Sequence, residues 1–244
     1  MQKSMFEIVS NTSLTDSVYK MVLRGDTSHI SAPGQFVNIS LQGLYLRRPI
    51  SVCDVQGDLL TIVYKAVGKG TRQMAQMKEG KLELLTGLGN GYDLTKAGDN
   101  PVLLGGGVGV PPMYLLAKEL IKMGKKVRVI LGFNTKSELF YEEEFKKLGC
   151  EVTVTTVDGS YGTRGFVTDA LKEMEYSYFY TCGPEPMLKA VYKASKTSGQ
   201  MSFEKRMGCG FGACMGCSCK TITGYKRICK EGPVMEKEEI LWED

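Results

Sequence analysis

The sequence predicts a protein of mixed β and α/β class built in three consecutive parts. Residues 1–98 carry short alternating apolar runs separated by turn residues. Residues 99–200 alternate strand-like with helix-like segments, and residues 201–244 are dense in Cys and Gly.

In the first part the runs Phe6–Val9, Val18–Leu23, Phe36–Leu41, Ile50–Val55, Leu59–Tyr64 and Leu82–Thr86 read as strands. Turns such as Ala32-Pro33-Gly34 and Gln56-Gly57-Asp58 divide them, and one helix falls near Arg72–Met77. Many short strands with turn signals predict a small sandwich or barrel. In the second part the strands are Pro101–Leu104, Val127–Leu131, Val152–Val157 and Tyr178–Cys182. Helices are expected at Pro112–Met123, Glu142–Leu148 and Pro186–Lys196, and such alternation predicts a parallel sheet with crossover helices. The third part predicts a hairpin, Ser218–Thr223 and Tyr225–Cys229 turning at Gly224, and then a charged tail from Glu236 to Asp244.

Composition narrows the function. The net charge is +4 without a long basic run or a basic stripe with interleaved aromatics, so no nucleic-acid partner is expected. No stretch approaches 18 consecutive apolar residues, and Met1–Ser10 lacks the apolar core of a signal peptide. The chain is therefore expected in the cytoplasm and off the membrane, where eight cysteines point to metal or redox chemistry more than to disulfides. A single histidine, His29, removes most general-base and nucleophilic-triad schemes.

Cys209, Cys214 and Cys217 form a C-x4-C-x2-C run, followed by Cys229. This is the plant-type spacing for a [2Fe–2S] cluster. Two irons and two sulfides need four thiolates converging on a small body, and Gly208, Gly210, Gly212 and Gly216 let the loop approach closely. Cys219 is a rival to Cys217 as ligand. A structural zinc site fits less well, since there is one C-x-x-C pair and no nearby His.

Two further segments stand at strand ends. Gly105-Gly106-Gly107-Val108-Gly109 follows a strand and opens a helix, a setting that suits a phosphate, although the G-x-G-x-x-G fingerprint is absent. Cys182-Gly183-Pro184 ends a later strand at the carboxyl edge of the sheet, where open α/β sheets bind ligands. Each could equally be a plain tight turn.

Taken in order, Arg48-Pro49-Ile50-Ser51, Gly68-Lys69-Gly70-Thr71, Gly105–Gly109 and Cys182-Gly183-Pro184 resemble the ferredoxin-NADP reductase superfamily. The closer resemblance is to the electron transfer subunits of dihydroorotate dehydrogenase B. It is carried by Glu204–Cys217, by Lys230-Glu231-Gly232-Pro233-Val234 and by Asp158-Gly159-Ser160-Tyr161-Gly162. The resemblance implies an FAD-binding Greek-key β-barrel over 1–98, an NAD-binding α/β domain over 99–200 and a [2Fe–2S] segment over 201–244. It implies FAD contacts at Arg48, Pro49, Ile50, Ser51, Val63, Tyr64, Lys65, Gly70 and Thr71. Gly105, Gly106, Gly107, Gly109, Cys182, Gly183 and Pro184 would face NAD, with Cys182 near the nicotinamide.

It also implies a role: electrons taken from dihydroorotate by an FMN-containing catalytic subunit pass through the cluster and FAD to NAD+. The assembly would be a heterotetramer of two plus two subunits serving pyrimidine biosynthesis. NAD is favoured over NADP mostly by the resemblance, and Gly132-Phe133-Asn134-Thr135-Lys136-Ser137 offers one lysine to a 2′-phosphate. Many plant-type reductases end in an aromatic stacked on the flavin; here the chain runs on, so Trp242 is not given that role. A flavin and iron–sulfur subunit of another NAD(P)-linked complex, such as a bifurcating ferredoxin–NADP oxidoreductase, shares the same core and is the alternative.

Overall fold

The structure, a computed structural model, describes residues 1–242. Six strands, β1 (Gln2–Ser13), β2 (Val18–Arg24), β3 (Phe36–Ile39), β4 (Arg48–Gln56), β5 (Leu59–Lys65) and β6 (Lys81–Leu88), close a barrel in the order β1-β2-β5-β4-β3-β6. Helix α1 (Lys69–Gln76) lies between β5 and β6. The choice left open between sandwich and barrel is thus settled by closure, which leaves no open sheet edge. Alternation explains the interior: in β1 the buried Phe6 and Ile8 flank exposed Glu7, while Met21, Leu23, Leu60, Ile62 and Leu84 fill the centre.

The second sheet holds seven strands in the order β10-β9-β8-β7-β11-β12-β15. These are β7 (Val102–Gly106), β8 (Arg128–Phe133), β9 (Glu151–Thr156), β10 (Thr163–Arg164), β11 (Phe179–Cys182), β12 (Gly199–Ser202) and β15 (Val234–Glu236). All pairings are parallel except the last, β12 with β15. Helices α2 (Val110–Lys122), α3 (Glu142–Lys147), α4 (Val167–Lys172) and α5 (Glu185–Ala194) make the connections. β7 is buried along its whole length, as expected for a central parallel strand covered on both faces. A separate hairpin pairs β13 (Ser218–Thr221) with β14 (Gly224–Arg227).

Three differences from the sequence reading stand out. Helix α4 was not expected, and its six residues are too short for a helical period to declare itself. The sheet does not stop at residue 200, because β12 runs to Ser202 and β15 adds an antiparallel edge strand from the cysteine-rich part. The residues read as a charged tail are partly structural. Glu236 ends β15 and its carboxylate accepts from Lys96 (2.7 Å), Gln200 (2.7 Å) and Tyr178 (2.8 Å). The tail's last two positions, Glu243 and Asp244, lie outside the described residues.

Barrel and sheet share one core. Val18, Cys53 and Val63 of the barrel pack in the same cluster as Met113, Leu116 and Leu120 of α2. At its edge Lys118 Nζ lies 2.7 Å from Asp54 Oδ1, with side-chain exposures of 19% and 7%. Removing one partner of such a pair strands the other charge. Asp54→Ala is therefore expected to lower unfolding stability by about 2 kcal/mol, discounted because Lys118 keeps some water contact. Urea unfolding of the single variant, beside an Asp54→Leu/Lys118→Met double variant that recovers part of the loss, checks this.

Candidate functional site

The flavin-type residues come together at one end of the barrel. Arg48, Pro49, Ile50 and Ser51 open β4 and pair across to Ile39, Asn38, Val37 and Phe36 of β3. Gly70 sits in the first turn of α1, beneath the Arg48 guanidinium; a Cβ there would lie 2.9 Å from Arg48 Cζ. Thr71 Oγ1 accepts from the main-chain N–H of Val67 and Gly68, both at 3.1 Å. A guanidinium over a helix N-terminus joins a planar donor fork to free main-chain donors, which is what a pyrophosphate needs. This is a cradle that any residue larger than glycine at position 70 would fill.

The rest of the predicted flavin strand is more mixed. Val63 is buried in the shared core. Tyr64 turns into the barrel, where its hydroxyl donates to Asn11 Oδ1 at 3.0 Å, so its side chain is spent on packing and its main chain alone faces outward. Lys65 is partly exposed and stands 4.0 Å from Glu138 of the second domain.

The nucleotide-type residues meet at the carboxyl edge of the sheet. Cys182 of β11 pairs with Gly105 of β7. A 3₁₀ turn at Gly107–Gly109 leads into α2, whose Pro111 and Pro112 suit a first turn where N–H groups are unpaired anyway. Gly106 faces Pro184 Cδ, 3.2 Å from where a Cβ would stand, and Gly109 faces the main chain of Cys182 and Gly183. The glycine turn and the Cys182–Pro184 turn therefore pack against each other and flank the candidate crevice at this edge. Gly107 alone needs its φ of +52°; the others are glycine because something lies close. Burial pushes the Cys182 thiol up to about 12, so it stands beside Ser202 as a neutral group. Asp158–Gly162 forms the turn after β9, its Ser160 hydroxyl accepting from Lys136 N at 2.8 Å.

The cysteine-rich loop wraps the third site. Cys209 Sγ accepts from the N–H of Ala213 (3.2 Å) and Cys214 (3.4 Å). Cys214 Sγ accepts from Cys209 N at 3.5 Å, and Cys217 Sγ from Cys229 N at 3.4 Å. Burial opposes ionisation of Cys209, yet the main-chain donors of Phe211, Cys214 and Ala213 bring it down to about 6. Gly208 and Gly216 both flank Cys214, where added Cβ atoms would stand 3.2 and 3.5 Å from its sulfur. Sulfurs that accept main-chain N–H groups beside glycines suit an iron–sulfur cluster, while among the described residues no three Cys, His, Asp or Glu side chains already stand together as a metal-holding group. Cys219, the rival ligand, points elsewhere: its Sγ lies 3.7 Å from Met235 Sδ.

Three residues that the sequence reading did not single out hold this loop. Asn38 of β3 donates from Nδ2 to the Cys209 carbonyl at 3.3 Å. Arg227 of β14 donates to the Gly212 carbonyl and is clamped by Glu231, with Nε to Oε2 at 2.9 Å. Asn90 of the barrel-to-sheet connection bonds Val234 O (2.7 Å), Val234 N (3.0 Å) and Glu231 O (3.1 Å). An amide set between Val37 and Ile39 in the run Phe36–Leu41, which also holds Ser40, is the signal that could have marked Asn38.

A closed barrel with an arginine–glycine anion cradle, an α/β sheet with a glycine crevice and an attached four-cysteine loop define a reductase of flavin and nicotinamide type with its own iron–sulfur segment. The comparisons agree. Residues 204–241 match the family described as the iron-sulfur cluster binding domain of dihydroorotate dehydrogenase B, and residues 103–193 the oxidoreductase NAD-binding domain. The dihydroorotate dehydrogenase B (NAD(+)) electron transfer subunit of Fusobacterium nucleatum subsp. nucleatum is 45% identical, over 96% of each chain. The chain belongs to the family of dihydroorotate dehydrogenase B (NAD(+)) electron transfer subunits.

Among solved structures, an NADH-dependent reduced ferredoxin-NADP oxidoreductase studied for flavin-based electron bifurcation superposes with a TM-score of 0.88. It is 31% identical, covering 97% of this chain and 90% of that one. A ferredoxin NADP+ reductase from Neisseria gonorrhoeae with bound FAD and NADP shares the fold alone, at a TM-score of 0.70 and 18% identity over 80% of this chain and 90% of that one. The chain is an oxidoreductase subunit with an iron–sulfur cluster binding domain and an NAD-binding domain. Its family name, a subunit, implies a catalytic partner. No helix among the described residues is long and apolar enough to cross a membrane.

Proposed function

We propose that this chain carries electrons, taken from dihydroorotate by an FMN-containing catalytic subunit, through its [2Fe–2S] cluster and FAD to NAD+. The assembly is a cytoplasmic heterotetramer of two plus two. The observation that carries the reading is the seating of the four-cysteine loop directly on barrel strand β3, whose neighbour β4 bears Arg48–Ser51. When bound, FAD exchanges a hydride with nicotinamide and single electrons with an iron–sulfur cluster, which is why one chain holds sites for all three.

Residues 1–98 hold FAD, 99–200 hold NAD and 201–244 hold the cluster. Arg48 pairs with the FAD pyrophosphate over Gly70 and Thr71, supported by the guanidinium lying on the first turn of α1. Pro49, Ile50, Ser51, Val63, Tyr64 and Lys65 flank the flavin, Tyr64 through its main chain. Gly105, Gly106, Gly107 and Gly109 receive the nucleotide phosphates, with Gly183 and Pro184 as the facing wall. Cys182 stands by the nicotinamide as a neutral thiol and neither gives nor takes a proton near neutral pH. Cys209, Cys214, Cys217 and Cys229 ligate the cluster.

The test is NAD+ reduction by the complex purified anaerobically with its partner, followed at the nicotinamide absorbance band after adding dihydroorotate. Reduction dependent on dihydroorotate is the expected result, with kcat/KM for NADH exceeding that for NADPH in the reverse flavin reduction. A complex whose flavin and cluster are reduced by NADH but which ignores dihydroorotate belongs to another electron-transfer assembly.

A further inference from the structure

The geometry points to Asn38 as the positioning residue that fixes the iron–sulfur loop in register with the flavin-binding strand. This rests on the proposed placing of the cluster on the four cysteines and of FAD on β4.

Asn38 lies within β3 and is 1% exposed. It faces Pro49 of β4 on one side and Leu85 of β6 on the other. Its neighbours in the strand, Val37 and Ile39, are fully buried apolar residues. Among the described residues its side chain makes one hydrogen bond, from Nδ2 to the carbonyl of Cys209, the first ligand of the cysteine run. Its Oδ1 is buried with no partner there. A buried polar atom left so costs about 1–3 kcal/mol, which an apolar side chain would avoid. The barrel therefore carries an amide where its own packing favours Val or Leu, and the residue that amide serves belongs to the cluster loop.

The loop is shaped to meet it. Gly210 follows Cys209 with φ +76°, and a Cβ there would run into the Asn38 amide, 3.2 Å from Cγ and nearer still to Nδ2. Both the backbone conformation and the close approach require glycine. A second tie to this loop, Arg227 to the Gly212 carbonyl, acts from the hairpin side. Asn38 is thus the link between Cys209 and the strand pair that bears Arg48–Ser51. Residues that orient metal ligands from behind change metal affinity or activity by about 10–100-fold when lost.

The experiment uses the whole complex. Asn38→Leu, close in size and without the donor, is compared with wild type and with Ile62→Val, a mild core change elsewhere in the same barrel. Three readouts are taken: the electron paramagnetic resonance signal of the reduced cluster, the rate of cluster loss to an iron chelator, and the rate of flavin reduction by NADH. The expected result is a changed g-tensor and about tenfold or faster cluster loss for Asn38→Leu, with flavin reduction within about twofold of wild type. Ile62→Val should move none of these. Gly210→Ala, made in the cysteine loop and not in a barrel strand, should reproduce the spectral change from the other side. Unchanged spectra and loss rates in both Asn38→Leu and Gly210→Ala overturn the assignment. A wild-type complex with no cluster signal sinks the underlying reading first and this one with it.

Discussion

Cys217→Ser is expected to abolish the cluster's visible absorption and to cut dihydroorotate-dependent NAD+ reduction by at least about a hundredfold, whereas Cys219→Ser keeps both. The margin follows because losing a residue that merely supports a ligand already costs about 10–100-fold, and Cys217 is placed as a ligand itself. Spacing favours Cys217 over Cys219, and the surroundings of the two thiols differ. Cys217 is buried and accepts an N–H from Cys229, the fourth cysteine of the set. Cys219 lies on β13 opposite Lys226, with its sulfur against Met235. Iron and sulfide content per flavin, measured on each purified variant, decides between them. A normal cluster in Cys217→Ser with loss in Cys219→Ser would reverse the assignment.

The second large effect is expected at Gly109. Its φ is an ordinary −80°, so alanine carries no backbone strain there. What forbids alanine is space: a Cβ would stand 2.6 Å from Gly183 N and closer still to the Cys182 carbonyl. Main chain cannot swing aside as a side chain can, so the two turns that flank the proposed nucleotide crevice must part. Overpacking of this kind costs about 1–3 kcal/mol. Gly109→Ala should therefore raise KM for NADH about tenfold, which corresponds to about 1.4 kcal/mol, while flavin and cluster content stay unchanged. Gly107→Ala is the contrasting case, since it has open space and a φ of +52°. It should cost about 1 kcal/mol of folding stability and leave the crevice walls in place. Steady-state kinetics with NADH beside thermal unfolding distinguishes the two. Equal KM values for both variants would mean that the crevice does not hold the nucleotide.

What could be read from the sequence was local in the chain. The cysteine run is legible because four ligands for one small cluster must sit close together, and the glycine turns because backbone approach excludes every other residue. The barrel and the alternating sheet follow from their periods. The residues that join these parts were not legible in the same way. Asn38 meets Cys209 across 171 positions, and Asn90 meets Val234 across 144. β15 is three residues long and runs straight into charged sequence, so it read as the start of a tail. Tyr64 shows the opposite limit: the motif places it on the right strand, but alternation turns its side chain inward to Asn11.

The last strand of the large sheet has a consequence for how the protein is made. β12 pairs with β11 early in chain order, yet its outer edge waits for β15, which is separated from it by the whole cysteine loop and hairpin. A nascent chain halted before residue 234 holds an unpaired strand edge, the kind of surface that recruits other chains during synthesis. Asn90, made long before, holds both main-chain groups of Val234 ready for that closing step. Completion of this sheet edge therefore waits until the cysteine loop and the hairpin have both been made.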